Sequence, residues 1–301
     1  MEHIQSLELA KYPRTAHLEG SRLQEGDDGS DQIPLAALAG KKVVIEEKMD
    51  AANCGISFSE GGELLLQSRG HYLVGGWSER QFNWLKPWAR AHADALLSRL
   101  EDRWVLYGEA MHAKHSVWYD RLPHLLLEFD LFDRRSRKFL STKRRHEMLG
   151  ELPIVSVPML YAGVMPADLE QLKKLIYRSL AKSRNWRANF ERQVLREGLP
   201  LELTWKQTNQ QDESEGLYLK VENGDFVEAR YKFVRPGFTQ TILDSGSHHF
   251  ARPVLPNLLA EGADLYAPVP VVGWEQLGLK TITSPEELRE FDPKAFVDAM
   301  P

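Results

Sequence analysis

The sequence predicts an α+β fold of mixed, mostly antiparallel sheets flanked by helices, with a small C-terminal appendage. Three observations lead there. β-type runs recur without the regular strand–helix–strand alternation of a parallel sheet. No glycine-rich phosphate loop follows any of them, which argues against Rossmann and P-loop folds. After Pro236 the texture turns to loops and prolines, with too few strand signals for a five-stranded OB barrel.

In chain order, residues 20–31 are polar and rich in glycine and aspartate, and read as a loop. A β-type run, Lys41–Asp50, follows with Val43, Val44 and Ile45 at its centre. Further strands are expected at Glu63–Ser68, Arg103–Tyr107, Leu125–Phe132, Gly216–Glu222 and Phe226–Val234. Helical patterns occupy Arg90–Leu100 and Lys143–Leu149. A long basic stretch, Ala167–Glu197, opens after Pro166 and stops at Gly198. Ser284-Pro285 and Asp292-Pro293 mark two short helix starts. Residues 1–235 are expected to form one domain and 236–301 an appendage of unread role.

The chain has 301 residues, 43% hydrophobic and 27% charged, which is enough to bury a sizeable core. Its net charge of -5 argues against a wholly basic nucleic-acid coat but is compatible with a local basic groove. No run approaches the roughly 20 apolar residues of a membrane span. Met1 to Ala10 lacks the features of a secretory signal. The single cysteine, Cys54, excludes an intramolecular disulfide framework and a multi-cysteine zinc site; it reads as a small buried residue in a reducing cytoplasm. His112 with His115, and His248 with His249, lack the spacing partners of a four-ligand zinc set and read as structural or surface residues.

The segment with chemistry in it is Glu46-Glu47-Lys48-Met49-Asp50-Ala51-Ala52-Asn53. On a strand, Glu46, Lys48 and Asp50 would share one face, and Glu47 and Met49 the other. Alone, this reads as the solvated end of a strand. Downstream, in order, come Ser68-Arg69-Gly70, Tyr107-Gly108-Glu109, Phe129-Asp130-Leu131-Phe132-Asp133, Glu215-Gly216-Leu217-Tyr218-Leu219-Lys220 and Arg230-Tyr231-Lys232. Together they resemble the motifs of the covalent nucleotidyltransferase superfamily, which comprises ATP- and NAD-dependent polynucleotide ligases and mRNA capping enzymes. The Ala-Asn pair after Lys48 is similar to the phage-type RNA ligase 2 branch. Ala113-Lys114-His115-Ser116-Val117 is similar to a stretch of RNA-repair ligases. The resemblance spans roughly 41–235. It departs from the pattern at Ala51, where glycine is usual, and at Arg230, where lysine is commoner; neither change removes a reacting group.

The resemblance implies the nucleotidyltransferase (ATP-grasp-like DNA/RNA ligase) fold and an ATP-dependent RNA ligase that forms a lysyl-adenylate on Lys48. Lys48, Asp50, Arg230 and Lys232 would be its catalytic set. Glu47, Met49, Asn53, Arg69, Glu109, Phe129, Glu215 and Lys220 would hold the nucleotide. Within that group Phe129 would stack on adenine, although its run Leu125, Leu127, Phe129, Leu131 equally suits a core aromatic. Glu109 would receive the ribose hydroxyls, Arg69 would reach ribose or phosphate, and Glu47 and Asn53 would meet the base or nearby backbone. Lys220 would be a phosphate-side cation. Glu215 would sit by the α-phosphate and help hold Mg²⁺ or Mn²⁺, as hard cations prefer oxygen ligands.

A free lysine has a pKa near ~10.4, so a nucleophilic one needs cationic neighbours or desolvation. Arg230 and Lys232, two apart on a strand, face the same way and could flank the α-phosphate and the Lys48 amine; the plainer reading is a charged strand edge. The expected partner is RNA with 5′-phosphate and 3′-hydroxyl ends, and an end-healing kinase or phosphatase is a candidate companion. Lys143-Arg144-Arg145 and the basic stretch Lys173 to Arg196, with Tyr177 and Trp186 as stacking rings, are candidates for holding the backbone. A DNA ligase, a capping guanylyltransferase using GTP, and a nucleotide sensor without catalysis stand as alternatives.

Overall fold

A computed structural model describes residues 8–23, 32–238 and 254–300. Of the expected loop at 20–31 only 20–23 fall within these, and His248 and His249 lie outside them.

Strand formation follows the β-branched runs. β1 (Ala16–Leu18), β2 (Gln32–Ile33), β3 (Lys42–Glu47), β10 (Met159–Val164), β11 (Gly216–Asn223) and β12 (Phe226–Val234) form one sheet in the order β10-β3-β11-β12-β1-β2. β4 (Ala52–Phe58), β5 (Leu64–Ser68), β6 (Trp104–Ala110), β7 (Leu126–Asp133) and β8 (Lys138–Phe139) form a second, ordered β5-β4-β6-β7-β8, with the short β9 (Val155–Ser156) beside β7. β1 runs parallel to β12 and β2, and β9 parallel to β7; the other pairings are antiparallel. The class is therefore the expected α+β, with mixed, mostly antiparallel sheets.

Alternation sorts the side chains of the second sheet into two cores. Val105, Tyr107, Leu127 and Phe129 join Ile45, Leu219 and Phe233 of the first sheet in one cluster. Leu106, Leu126 and Leu131 join Ile56, and with them Trp88 and Leu96 from α1 (Leu85–Ala91) and α2 (Ala93–Leu100). The run Leu125 to Leu131 does not keep to one face as expected. Between β6 and β7 the register passes from Tyr107↔Asp130 to Gly108↔Glu128, leaving Phe129 as the extra residue of a bulge. A bulge reverses the phase of alternation, so Phe129 and Leu131 enter different cores.

The expected long basic helix is broken. α4 (Leu169–Lys173) is capped by Asp168, whose side chain accepts from the Gln171 N–H, and α5 (Trp186–Arg196) starts only after an irregular stretch. Several of its cations are consumed internally. Lys174 donates to the carbonyls of Leu288 and Phe291, and Arg178 to that of Val297. Arg187 pairs with Asp212, and Lys182 is buried on the Gln211 carbonyl. Tyr177 and Trp186 are buried as well, against Phe291 and Phe296 and against Trp205. They offer no stacking surface. On α3 (Thr142–Leu149), Arg145 turns inward to Glu46, while Lys143 and Arg144 stay exposed beside Glu147.

Residues 254–300 add α6 (Pro285–Glu290) and α7 (Pro293–Ala299), capped as expected by Ser284 and Asp292. Leu288 and Met300, with Trp274, Leu277 and Ile282, are buried in the cluster between the sheets. Among the described residues no helix is long and apolar enough to cross a membrane.

Candidate active site

β3 ends at Glu47, so the expected strand face shared by Glu46, Lys48 and Asp50 does not extend past it. Lys48, Met49 and Asp50 form a turn leading into β4, and backbone polar groups pin that turn. The Lys48 N–H donates to the Gly216 carbonyl at 3.0 Å. The Asp50 N–H donates to the Tyr119 hydroxyl at 3.0 Å, and Asp50 Oδ2 accepts the N–H groups of Ser116 and Val117 at 2.7 and 2.6 Å. The segment Ala113–Val117 thus acts through its backbone, as the anchor of Asp50. Gly216 is needed for closeness: a Cβ there would stand 1.9 Å from the Phe233 carbonyl oxygen. Any side chain would push β11 away from β12 and displace the neighbouring Glu215.

The turn faces a cavity of about 480 Å³. Lys48, Asp50, Glu47 and Met49 line it from the turn and the end of β3, and Asn53 from β4. Arg69, Glu109, Phe129 and Lys232 complete the walls from β5's following turn, β6, β7 and β12. Three predicted residues do not reach the cavity surface. Glu215 lies just behind it, 2.7 Å from the Lys48 amine. Lys220 is buried beneath Phe129, donating to its carbonyl oxygen. Arg230 points at Asp130, 3.3 Å away, and lies 3.7 Å over the Phe139 ring. Arg230 therefore does not flank the Lys48 amine beside Lys232.

The electrostatics differ from the expected cationic pocket. Burial pulls the Lys48 pKa down, but Glu215, Glu109 and Asp50 outweigh it, so the amine is held above its ordinary value. The nucleotide-free protein keeps it as an ammonium. Burial pushes Glu215 up to about 7 against the pull of Lys48 and Lys232. Burial likewise raises Glu109 well above the usual carboxylate range. Glu47 is pushed up to about 7 by burial, opposed by its hydrogen bond from the Ser179 hydroxyl.

Glu215 Oε1 and Glu109 Oε2 are buried and accept no hydrogen bond from the protein. Among the described residues no group of three acidic, histidine or cysteine side chains is arranged to enclose a metal. The two free oxygens nevertheless suit a divalent ion that takes its remaining ligands from water and phosphate, the habit of Mg²⁺. His115 contacts Gln81 at the cavity rim rather than a metal set, and His112 is held below its usual pKa by burial.

Beneath the cavity lies a buried ion network. Arg145 pairs with Glu46 at 2.6 Å and Glu128 at 3.4 Å; Lys220 pairs with Glu46 at 2.8 Å and Asp130 at 3.2 Å. Burial raises Asp130, but Lys220 and Arg230 outweigh it and hold its carboxyl below the ordinary value. Removing one member of such a network strands opposite charges in a low-dielectric interior. Arg145→Ala is expected to cost about 3–5 kcal/mol, measured by urea denaturation; a loss below ~1 kcal/mol would show that Glu46 and Glu128 simply take up protons.

Two residues of the site were given no role by the sequence. Tyr12 packs edge-on against Phe129 with ring centroids 5.2 Å apart, and its hydroxyl binds Asp130 and Tyr218. Tyr12 lies in an aperiodic segment, and Tyr218 looks like any aromatic on a strand. Together they back the Phe129 ring and tie it to the ion network.

The RNA ligase family model matches residues 41–234. No curated protein matches the chain. Among solved structures it is similar to Naegleria gruberi RNA ligase. A lysine-to-alanine mutant with ATP and Mn shows 16% identity and a TM-score of 0.44, over 67% of this chain and 52% of that one. The same enzyme with PPi shows 17% identity and a TM-score of 0.45, over 73% and 59%. This chain thus spans between half and three fifths of the length of those two structures. The matched segment takes in well over half of the sequence, from β3 with the Lys48 turn through to Lys232 on β12, and the chain belongs to the RNA ligase family.

Proposed function

We propose that the protein is an ATP-dependent RNA ligase that joins 3′-hydroxyl and 5′-phosphate ends through a lysyl-adenylate on Lys48. The observation that carries this reading is the Lys48 side chain, a quarter exposed and presented to a cavity whose walls include an aromatic ring, a carboxylate and two cations: Phe129, Glu109, Arg69 and Lys232. Adenine stacks on Phe129, the ribose hydroxyls donate to Glu109, and Arg69 and Lys232 meet the phosphates.

In the first step the Lys48 amine loses a proton and attacks the α-phosphorus. A P–N bond forms and the bond to pyrophosphate breaks. Glu215, 2.7 Å away with a pKa of about 7, is placed to take that proton near neutrality. Asp50 positions the turn through its three hydrogen bonds. Glu215 and Glu109 would hold a divalent ion through their free oxygens, and it would supply charge neutralisation at the α-phosphate. A 5′-phosphate oxygen of RNA then attacks the adenylyl phosphorus, the P–N bond breaks, and Lys48 regains its proton. Finally the 3′-hydroxyl attacks the activated 5′-phosphorus and AMP leaves. Alignment and charge neutralisation supply most of the acceleration. RNA repair is the role that such end-joining would serve, and a reducing cytoplasm fits Cys54, which is a buried free thiol.

The test is incubation with α-labelled ATP or GTP and Mg²⁺ or Mn²⁺, followed by RNA or DNA strands bearing a 5′-phosphate. Labelled protein from ATP, reversed by pyrophosphate, and joined RNA are expected. Label from GTP alone would indicate a capping-type enzyme, and joining of DNA alone a DNA ligase. Absence of label from folded, unadenylated protein would leave a nucleotide-binding protein without catalysis.

A further inference from the structure

A second concavity, of about 540 Å³, opens between the β8 and β12 edges. Arg14, Arg137, Lys138 and Arg230 line it, against one acid, Glu228. Arg230 is already paired with Asp130, so three exposed cations, Arg14, Arg137 and Lys138, face one carboxylate, a local positive field in a chain whose net charge is -5.

The pocket is a built feature. The Asp133 carboxylate accepts the Arg135 N–H at 2.9 Å and the Ser136 hydroxyl at 2.8 Å, and the Asp133 carbonyl accepts the Arg137 N–H at 2.8 Å. These bonds fix a tight turn with Arg137 at φ 56°, a left-handed conformation unusual for a side-chain-bearing residue. Lys138 lies 4.9 Å over the Phe226 ring. Arg14, Arg137 and Lys138 are solvent-exposed. Arg230 forms the inner wall, held between Asp130 and the Phe139 ring.

Its position relates it to the first cavity. Lys232 lines the Lys48 cavity and Arg230 lines this pocket, two residues apart on β12, about 6.6 Å at strand rise. Segment 12–15 separates the two: Tyr12, Pro13 and Thr15 line the Lys48 cavity, and Arg14 lines the basic one. The basic pocket therefore adjoins the Lys48 cavity along β12 and segment 12–15.

Resting on the ligase reading above, we propose that the Arg14–Arg137–Lys138 pocket binds the phosphodiester backbone of the RNA strand whose end is being activated. It contributes affinity independent of base sequence, because guanidinium and ammonium groups meet phosphates rather than base edges.

The test measures binding of a 5′-phosphorylated single-stranded RNA by fluorescence anisotropy from 50 to 300 mM KCl. It compares the full-length protein with Arg14→Ala, Lys138→Ala and the double variant. These side chains are exposed, so the fold is expected to survive, which a melting curve verifies. Each phosphate contact contributes about 0.7 to the slope of log K against log salt. The double variant is expected to lose ~1.4 of that slope, weaken RNA binding roughly tenfold or more at low salt, and keep its ATP dependence of adenylate formation. An unchanged slope, or no salt-dependent RNA binding by the unmodified protein, would overturn the proposal. So would a raised KM for ATP with RNA binding intact, which would assign the pocket to the triphosphate. Adenylate labelling in the same samples shows separately whether the ligase reading holds.

Discussion

Lys48→Ala is expected to abolish label transfer from α-labelled ATP, a loss of at least about 10⁴-fold because a covalent nucleophile has no substitute at the reacting atom. The fold should persist. Lys48 sits in a turn held by its backbone bond to Gly216, and that bond survives the substitution. Glu215 loses its partner, but burial already favours its neutral form, which limits the cost. A second readout separates chemistry from damage. RNA supplied with a 5′ end already adenylated bypasses the amine, so the variant should still join it. Label appearing on Lys48→Ala would overturn the assignment and point to Lys232, the other lysine lining the cavity. Failure to join pre-adenylated RNA, with an unchanged melting curve, would mean that Lys48 also serves strand joining.

The sheets were legible wherever β-branched and aromatic residues alternate without interruption. The expected Phe226–Val234 is β12 to the residue, and the others that were called differ by a few positions at their ends. β4 was not expected: Ala-Asn-Cys-Gly-Ile-Ser-Phe carries small and polar residues that its two neighbouring strands stabilise instead. The helix starts at Ser284-Pro285 and Asp292-Pro293 were legible because capping is local chemistry. The basic stretch was misread because its partners are remote. The carbonyls that receive Lys174 and Arg178 lie more than a hundred residues away in sequence. Arg230 failed for the same reason. Facing the same way as Lys232 is a property of the strand, whereas turning toward Asp130 depends on a bulge in another sheet. Motif order brings the cavity's lysine, carboxylate, ring and cations together; the ionisation of Lys48 depends on the fold, because burial and three carboxylates oppose one another there.

That ionisation yields the second large effect. Glu215→Gln is expected to lower the maximal rate of adenylate formation by about 10²–10³-fold, as it removes the acceptor for the Lys48 proton. It should also move the rising limb of the pH–rate profile to lower pH. The sign follows from the causes: Glu215 is the largest influence raising the Lys48 pKa, and burial, which lowers it, remains after the charge has gone. The neutral amine is then reached in less alkaline solution even though each turnover is slower. Stability changes in a matching direction. The Glu215 carboxyl titrates at about 7 when folded and at 4.5 in its unperturbed state, so between those values the native protein binds more protons than the unfolded chain. Its contribution to stability is present at low pH and is lost as pH rises through about 7. Glutamine carries no such dependence, so the variant's Tm relative to the unmodified protein should climb across that window. Calorimetry from pH 4.5 to 8 and single-turnover labelling over pH 6 to 9 check the two halves. An unmoved rising limb would mean that Glu109 and Asp50 alone govern the amine, and that Glu215 serves the phosphates rather than the proton.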